Sequence, residues 1–171
     1  MWFLWTALML CGPALGQTAD RVFAEVGEQV LLASDVQLER ELSRLDQGPL
    51  PLWRPARAPA EDRLIEAAIV RQLAGDVSVF QPPDADVNAR LEEMRARFPT
   101  REAWQGFLEP RGLTEASLRQ VLRRRMAVER YLTRAIQLSP DDEAGWLAAY
   151  QAVLDAGRQR VRVRMIPVEG T

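Results

Sequence analysis

The chain has no histidine and no lysine, and its single cysteine, Cys11, lies inside the first apolar run. Without imidazole, Ser-His-Asp and Cys-His catalysis are excluded, and enzyme chemistry would have to rest on carboxylates, arginine, tyrosine or hydroxyls. With no thiol after residue 11, the rest of the chain holds no disulfide and no zinc site of thiolate or imidazole ligands. No glycine-rich phosphate loop is present, and no cofactor is expected. All 22 basic residues are arginine, which reflects genome composition and carries no functional weight. The net charge of −2 gives no basic excess, so no nucleic-acid partner is expected.

What is present suits a folded domain. The 171 residues are 47% hydrophobic and 27% charged, enough to bury a real core. Residues 1–16 carry no charged side chain, and Trp2 to Leu10 form a short apolar core. Gly12-Pro13 breaks that core, and Ala14-Leu15-Gly16 places small residues ahead of Gln17. The pattern predicts a secretion signal cleaved before Gln17. It is too short for a spanning helix, which needs about 20 apolar residues. Leu10 before Cys11 argues against lipidation there. Residues 17–171 are then expected to form one domain.

Hydrophobic patterning predicts a mainly α domain with a small antiparallel sheet. Val22–Val26 and Gln29–Leu32 are β-prone runs around Gly27-Glu28, and glycine at the first central position fits a type II′ hairpin. Ser34, with Gln37 three residues on, predicts a helix start. Residues 46–60 hold four prolines in eleven residues, Pro49 to Pro59, and predict an extended loop. A second helix is expected over 61–74, stopped by Gly75. A third follows Pro82-Pro83 with a Val87, Leu91, Met94, Phe98 stripe. Thr100 caps a short helix and Thr114 a long one reaching Ile136. Ser139-Pro140-Asp141-Asp142 reads as the start of a last helix, closed by Gly157. Val161 to Ile166 alternates apolar and charged and predicts a strand completing the hairpin, since two short strands alone are marginal.

The candidate chemical motifs are weak. Asp84, Asp86 and Asn88 match the opening of a calcium-binding loop, but Ala89 stands at its glycine position and Arg95 at its bidentate glutamate. They are better read as acids opening a helix. On the long helix, Arg119, Arg123, Arg130 and Arg134 fall within about 60° of one another. The stripe reads first as a solvated face bonded to nearby acids, and second as a lane for acidic lipid head groups or an acidic partner. Arg125 and Glu129 project from the apolar face of that helix, four residues apart, and are expected to pair there.

Val22 to Val36, "VFAEVGEQVLLASDV", Arg63-Leu64-Ile65-Glu66 through Leu73, and Gly112-Leu113 with Leu118-Arg119, Leu122-Arg123 and Met126 together resemble the N-terminal region of SurA-type, parvulin-family chaperones. The order and spacing of these pieces over residues 20–145 carry the resemblance. It implies a helical periplasmic domain that binds unfolded outer-membrane or exported polypeptides without ATP. The tail "VRVRMIPVEGT" resembles the first strand of a parvulin domain, but no isomerase domain and no active-site histidine accompany it. The chain is therefore expected not to be an enzyme.

A polypeptide-binding site of this kind needs exposed apolar surface. Leu50, Leu52, Trp53, Phe80, Trp104 and Phe107 are the candidates, with core packing the competing role for Trp104 and Phe107. The alternative function is a non-catalytic adaptor that docks one partner, such as a separately encoded parvulin isomerase.

Overall fold

The polypeptide turns back on itself first at Gly27. A computed structural model describes residues 20–46 and 48–167; the expected signal, its cleavage point and Cys11 lie outside them. Strands β1 (Val22–Val26) and β2 (Gln29–Leu32) pair antiparallel, with Val26 opposite Gln29. Gly27 has φ +59°, and among the described residues no non-glycine residue has positive φ. One left-handed residue at the first central position is the type II′ turn that the sequence predicts.

The sheet is completed from the far end of the chain. Strand β3 (Val163–Met165) runs antiparallel to β1, placing Val163 opposite Val26 and Met165 opposite Ala24. The strand order is β2-β1-β3. Val161 and Val163 are half-buried against the sheet's core, as the alternation predicts. Met165 is not: it remains 52% exposed, because the sheet's covering layer ends short of it.

Six helices make the rest: α1 (Ala33–Leu45), α2 (Ala60–Ala74), α3 (Asp84–Arg95), α4 (Arg101–Leu108), α5 (Glu115–Ala135) and α6 (Glu143–Arg158). The protein is mainly helical with a three-stranded antiparallel sheet. Thr100 and Thr114 cap α4 and α5, accepting from Ala103 N and Ser117 N at 3.1 Å each. Gly75 ends α2 at φ +58°. Two expected caps differ. At α1, Asp35 holds the Leu32 N–H at 2.8 Å, while Ser34 lies inside the helix and bonds Asp20. At α6, Asp142 accepts from Gly145 N at 3.1 Å, and Ser139-Pro140 belong to the turn before it.

Gly157 does not close α6 but sits within it. A Cβ there would overlap the Ile69 Cγ2 methyl and lie 3.1 Å from Leu73 Cδ1. The missing side chain lets α6 approach α2. Helix α2 is central, touching α1, α5, α6 and the β1–β2 hairpin. It buries Ala68, Ile69 and Val70, and also Arg63 and Glu66.

Candidate functional site

The proline-rich segment is a loop, exposed at Pro49, Arg54, Pro55, Ala56 and Pro59, whose residues 50–53 turn inward. Its prolines set up a 3-10 turn over Pro51–Trp53 that carries Leu50, Leu52 and Trp53 inward. Leu52 is fully buried and Leu50 and Trp53 nearly so, packed with Val70, Val128, Leu132 and Trp146. At about 1.5–3 kcal/mol for each large apolar side chain buried, these residues are core. Trp104 and Phe107 are also core: they stack at 5.7 Å between ring centroids, against Phe98 and beside α3 and α5. Phe80 is half-buried, edge-on to Tyr131 at 5.2 Å. The six candidates therefore fall in three separate places and form no common exposed surface, because the helices offered each aromatic ring an apolar partner.

Beneath this core runs a chain of buried charges. Arg63 Nε donates to Glu39 Oε1 at 2.9 Å, and Arg125 donates to the other Glu39 oxygen and, at 2.9 Å, to Asp46 Oδ2. Arg90 bridges Asp46 to Glu129, meeting both Glu129 oxygens at 2.6 and 2.8 Å. Trp53 Nε1 donates to Glu129 at 2.6 Å, and the Arg125 guanidinium lies 3.8 Å above the Trp53 ring. Three arginines and three carboxylates balance. Burial lowers the Arg90 pKa, but the hydrogen bonds it donates to Glu129 and Asp46 and the charges of those carboxylates outweigh that and raise it. Arg125 and Glu129, expected to pair with each other, instead pair outward to different elements, since α1 and α3 present closer carboxylates and a guanidinium. A Cβ on Gly48 would overlap the Arg90 Nη2 and Glu129 Oε1 atoms, so a side chain there would have to displace the network.

Among the described residues no buried side-chain nitrogen or oxygen lacks a hydrogen-bond partner. Among the described residues no cluster of three or more His, Cys, Asp or Glu is placed to hold a metal ion, and no helix is long and apolar enough to cross a membrane. The arginine stripe of α5 meets the first turns of α3: Arg123 bonds Asp84, Arg119 donates to Asn88 at 2.9 Å, and Arg130 lies 3.9 Å from Asp86. The acids that open α3 and the arginines of α5 are thus one exposed ion-pair seam.

One cleft, of about 180 Å³, lies between β2, α1, α2 and α5. Leu31, Leu38, Leu64, Ala67 and Val128 supply apolar wall, and Val30, Trp53 and Arg125 also line it. Arg71 and Arg124 line it too. Arg71 donates to Gln29 Oε1, and neither arginine makes an ion pair among the described residues. Burial, and then the nearby Arg124 charge, lower the Arg71 pKa. Sequence patterning passed over Val30, Arg71 and Arg124, since each sits at an unremarkable position of its own element. Only the packing of four elements brings them together. No family model and no curated protein matches this chain.

Proposed function

We propose that this chain is an exported, non-enzymatic holdase that binds unfolded outer-membrane or other exported polypeptides without ATP, as its resemblance to SurA-type chaperones implies. The observation that supports the reading is the cleft at β2. It is an apolar recess on a helical scaffold, beside a strand with no outer partner among the described residues. Val30 lines the cleft from that strand, and its side chain, opposite Glu25 on the sheet's outer face, is 49% exposed. Extended polypeptides add to such edges through main-chain hydrogen bonds, which accept any sequence, while an adjoining recess takes a side chain. Broad, weak recognition of this kind suits a holdase. The export part of the proposal rests on residues 1–16.

The test is suppression of aggregation. An unfolded outer-membrane β-barrel protein is diluted from urea and followed by light scattering, with and without the chain and with no nucleotide. Wild type slows aggregation at near-stoichiometric ratios. Val30→Asp, at an exposed site where the fold tolerates a charge, weakens the effect several-fold. Scattering that wild type leaves unchanged refutes the holdase reading.

A further inference from the structure

We infer that the cleft at β2 receives the C-terminus of a polypeptide, with the last apolar side chain in the recess and the α-carboxylate held at the rim by Arg71 and Arg124. The inference deepens the holdase reading and rests on it.

Volume sets the size of the guest. A cavity of about 150 Å³ accommodates one benzene ring, whereas sites for whole drug-sized ligands span roughly 300–1,000 Å³. The cleft, at about 180 Å³, takes one ring or one branched aliphatic side chain. Its walls, Leu31, Leu38, Leu64 and Ala67, are apolar.

Charge sets the chemistry at the mouth. Of the charged groups lining the cleft, Glu39 and Arg125 neutralise each other within the buried network. Asp35 accepts the Leu32 N–H through one oxygen, and its charge, with that of Asp76, acts on Arg71. Arg71 and Arg124 nevertheless leave the lining one positive charge in excess. The surface elsewhere supplies acids to its arginines, as the α3–α5 seam shows. An incoming carboxylate would supply the missing counter-charge, and guanidinium groups grip carboxylates through paired N–H donors.

The strand edge favours a peptide over other carboxylates. Val26 and Gln29 close the two-residue turn, so ladder alternation leaves the Val30 N–H and C=O pointing away from β1. Gly27 N bonding to Arg162 O, toward β3, agrees with that alternation. One outward N–H and C=O pair fits the last residues of an extended chain. A fatty acid has nothing to offer them.

Binding of an N-terminally labelled octapeptide ending in phenylalanine, followed by anisotropy, tests the inference on the full mature chain. The free-acid peptide should bind at least tenfold tighter than the same peptide with a C-terminal amide. Arg124→Gln, at an exposed position, should remove most of that preference without shifting the melting temperature, and Arg71→Gln should act likewise. Equal affinity for acid and amide overturns the inference and leaves the holdase reading standing. So does aggregation suppression persisting when neither peptide binds. Loss of both peptide binding and suppression overturns the two together. Decanoate binding in the cleft while the free-acid peptide does not bind overturns the polypeptide as occupant.

Discussion

The indole N–H of Trp53 donates to the carboxylate of Glu129 at 2.6 Å, 76 residues away in the chain and out of contact with water. This one bond ties the proline-rich segment to the middle of α5. It is the last link of the Arg63–Glu39–Arg125–Asp46–Arg90–Glu129 chain.

Glu129→Gln should therefore be among the costliest substitutions in the protein. It removes the carboxylate charge that both terminal nitrogens of Arg90 donate to, leaving three buried arginines against two carboxylates, and breaking a buried pair costs about 3–5 kcal/mol. Trp53→Phe keeps most of the packing and loses only the donor, for about 1.5–3 kcal/mol. Urea denaturation should rank them in that order. A Glu129→Gln midpoint equal to wild type would mean that the network contributes no stability.

Tyr150 predicts an alkaline limit. Its hydroxyl is buried and donates to Glu66 at 3.3 Å, with Arg57 over the ring. Burial first, and then the Glu66 charge, push its pKa well above 10.0. The folded state therefore holds the phenol proton more tightly than the unfolded chain does. That stabilisation is complete below pH about 10, the unfolded value, and fades as pH rises above it toward the folded pKa. Stability measured from pH about 8 to about 11.5 should fall on the alkaline side, and Tyr150→Phe should flatten that fall while costing about 1 kcal/mol at neutral pH. An identical alkaline slope in the variant would assign it to other groups.

The same substitution should act with opposite sign in two helices. A methyl added at Gly106 in α4 would meet nothing within 4 Å, so Gly106→Ala should gain up to about 1 kcal/mol of helix propensity. Gly157→Ala drives a methyl into Ile69, and overpacking of about 1–3 kcal/mol outweighs the same gain. Melting temperatures of the two variants should move apart; a shift in one direction for both would mean α6 can retreat from α2 freely.

Deleting residues 161–171 removes β3 and the half-buried Val161 and Val163. Losing two such side chains and the β1–β3 ladder should cost about 2–3 kcal/mol, or roughly 5–10 °C for a chain of this length. Calorimetry of the truncated protein decides. An unchanged melting temperature would make β3 a passenger on the sheet.

Local chemistry was enough for the elements themselves. The Gly27 turn, the Thr100 and Thr114 caps, the Gly75 stop, the α3 and α5 stripes and the closing strand all follow from neighbours within a few residues, where propensity and periodicity act. The pairing of β3 with the hairpin followed from one further step, that two short strands need a third. Tertiary structure decided the rest. Whether Leu52 and Trp53 face water depends on Val70 and Trp146, which no local pattern reports. The partners of Arg125 and Glu129 were chosen by α1 and α3, because a buried charge goes to the nearest opposite charge in space and not in sequence. The cleft exists only where β2, α1, α2 and α5 meet. Its two arginines are ordinary surface residues until packing sets them side by side at the mouth of an apolar recess.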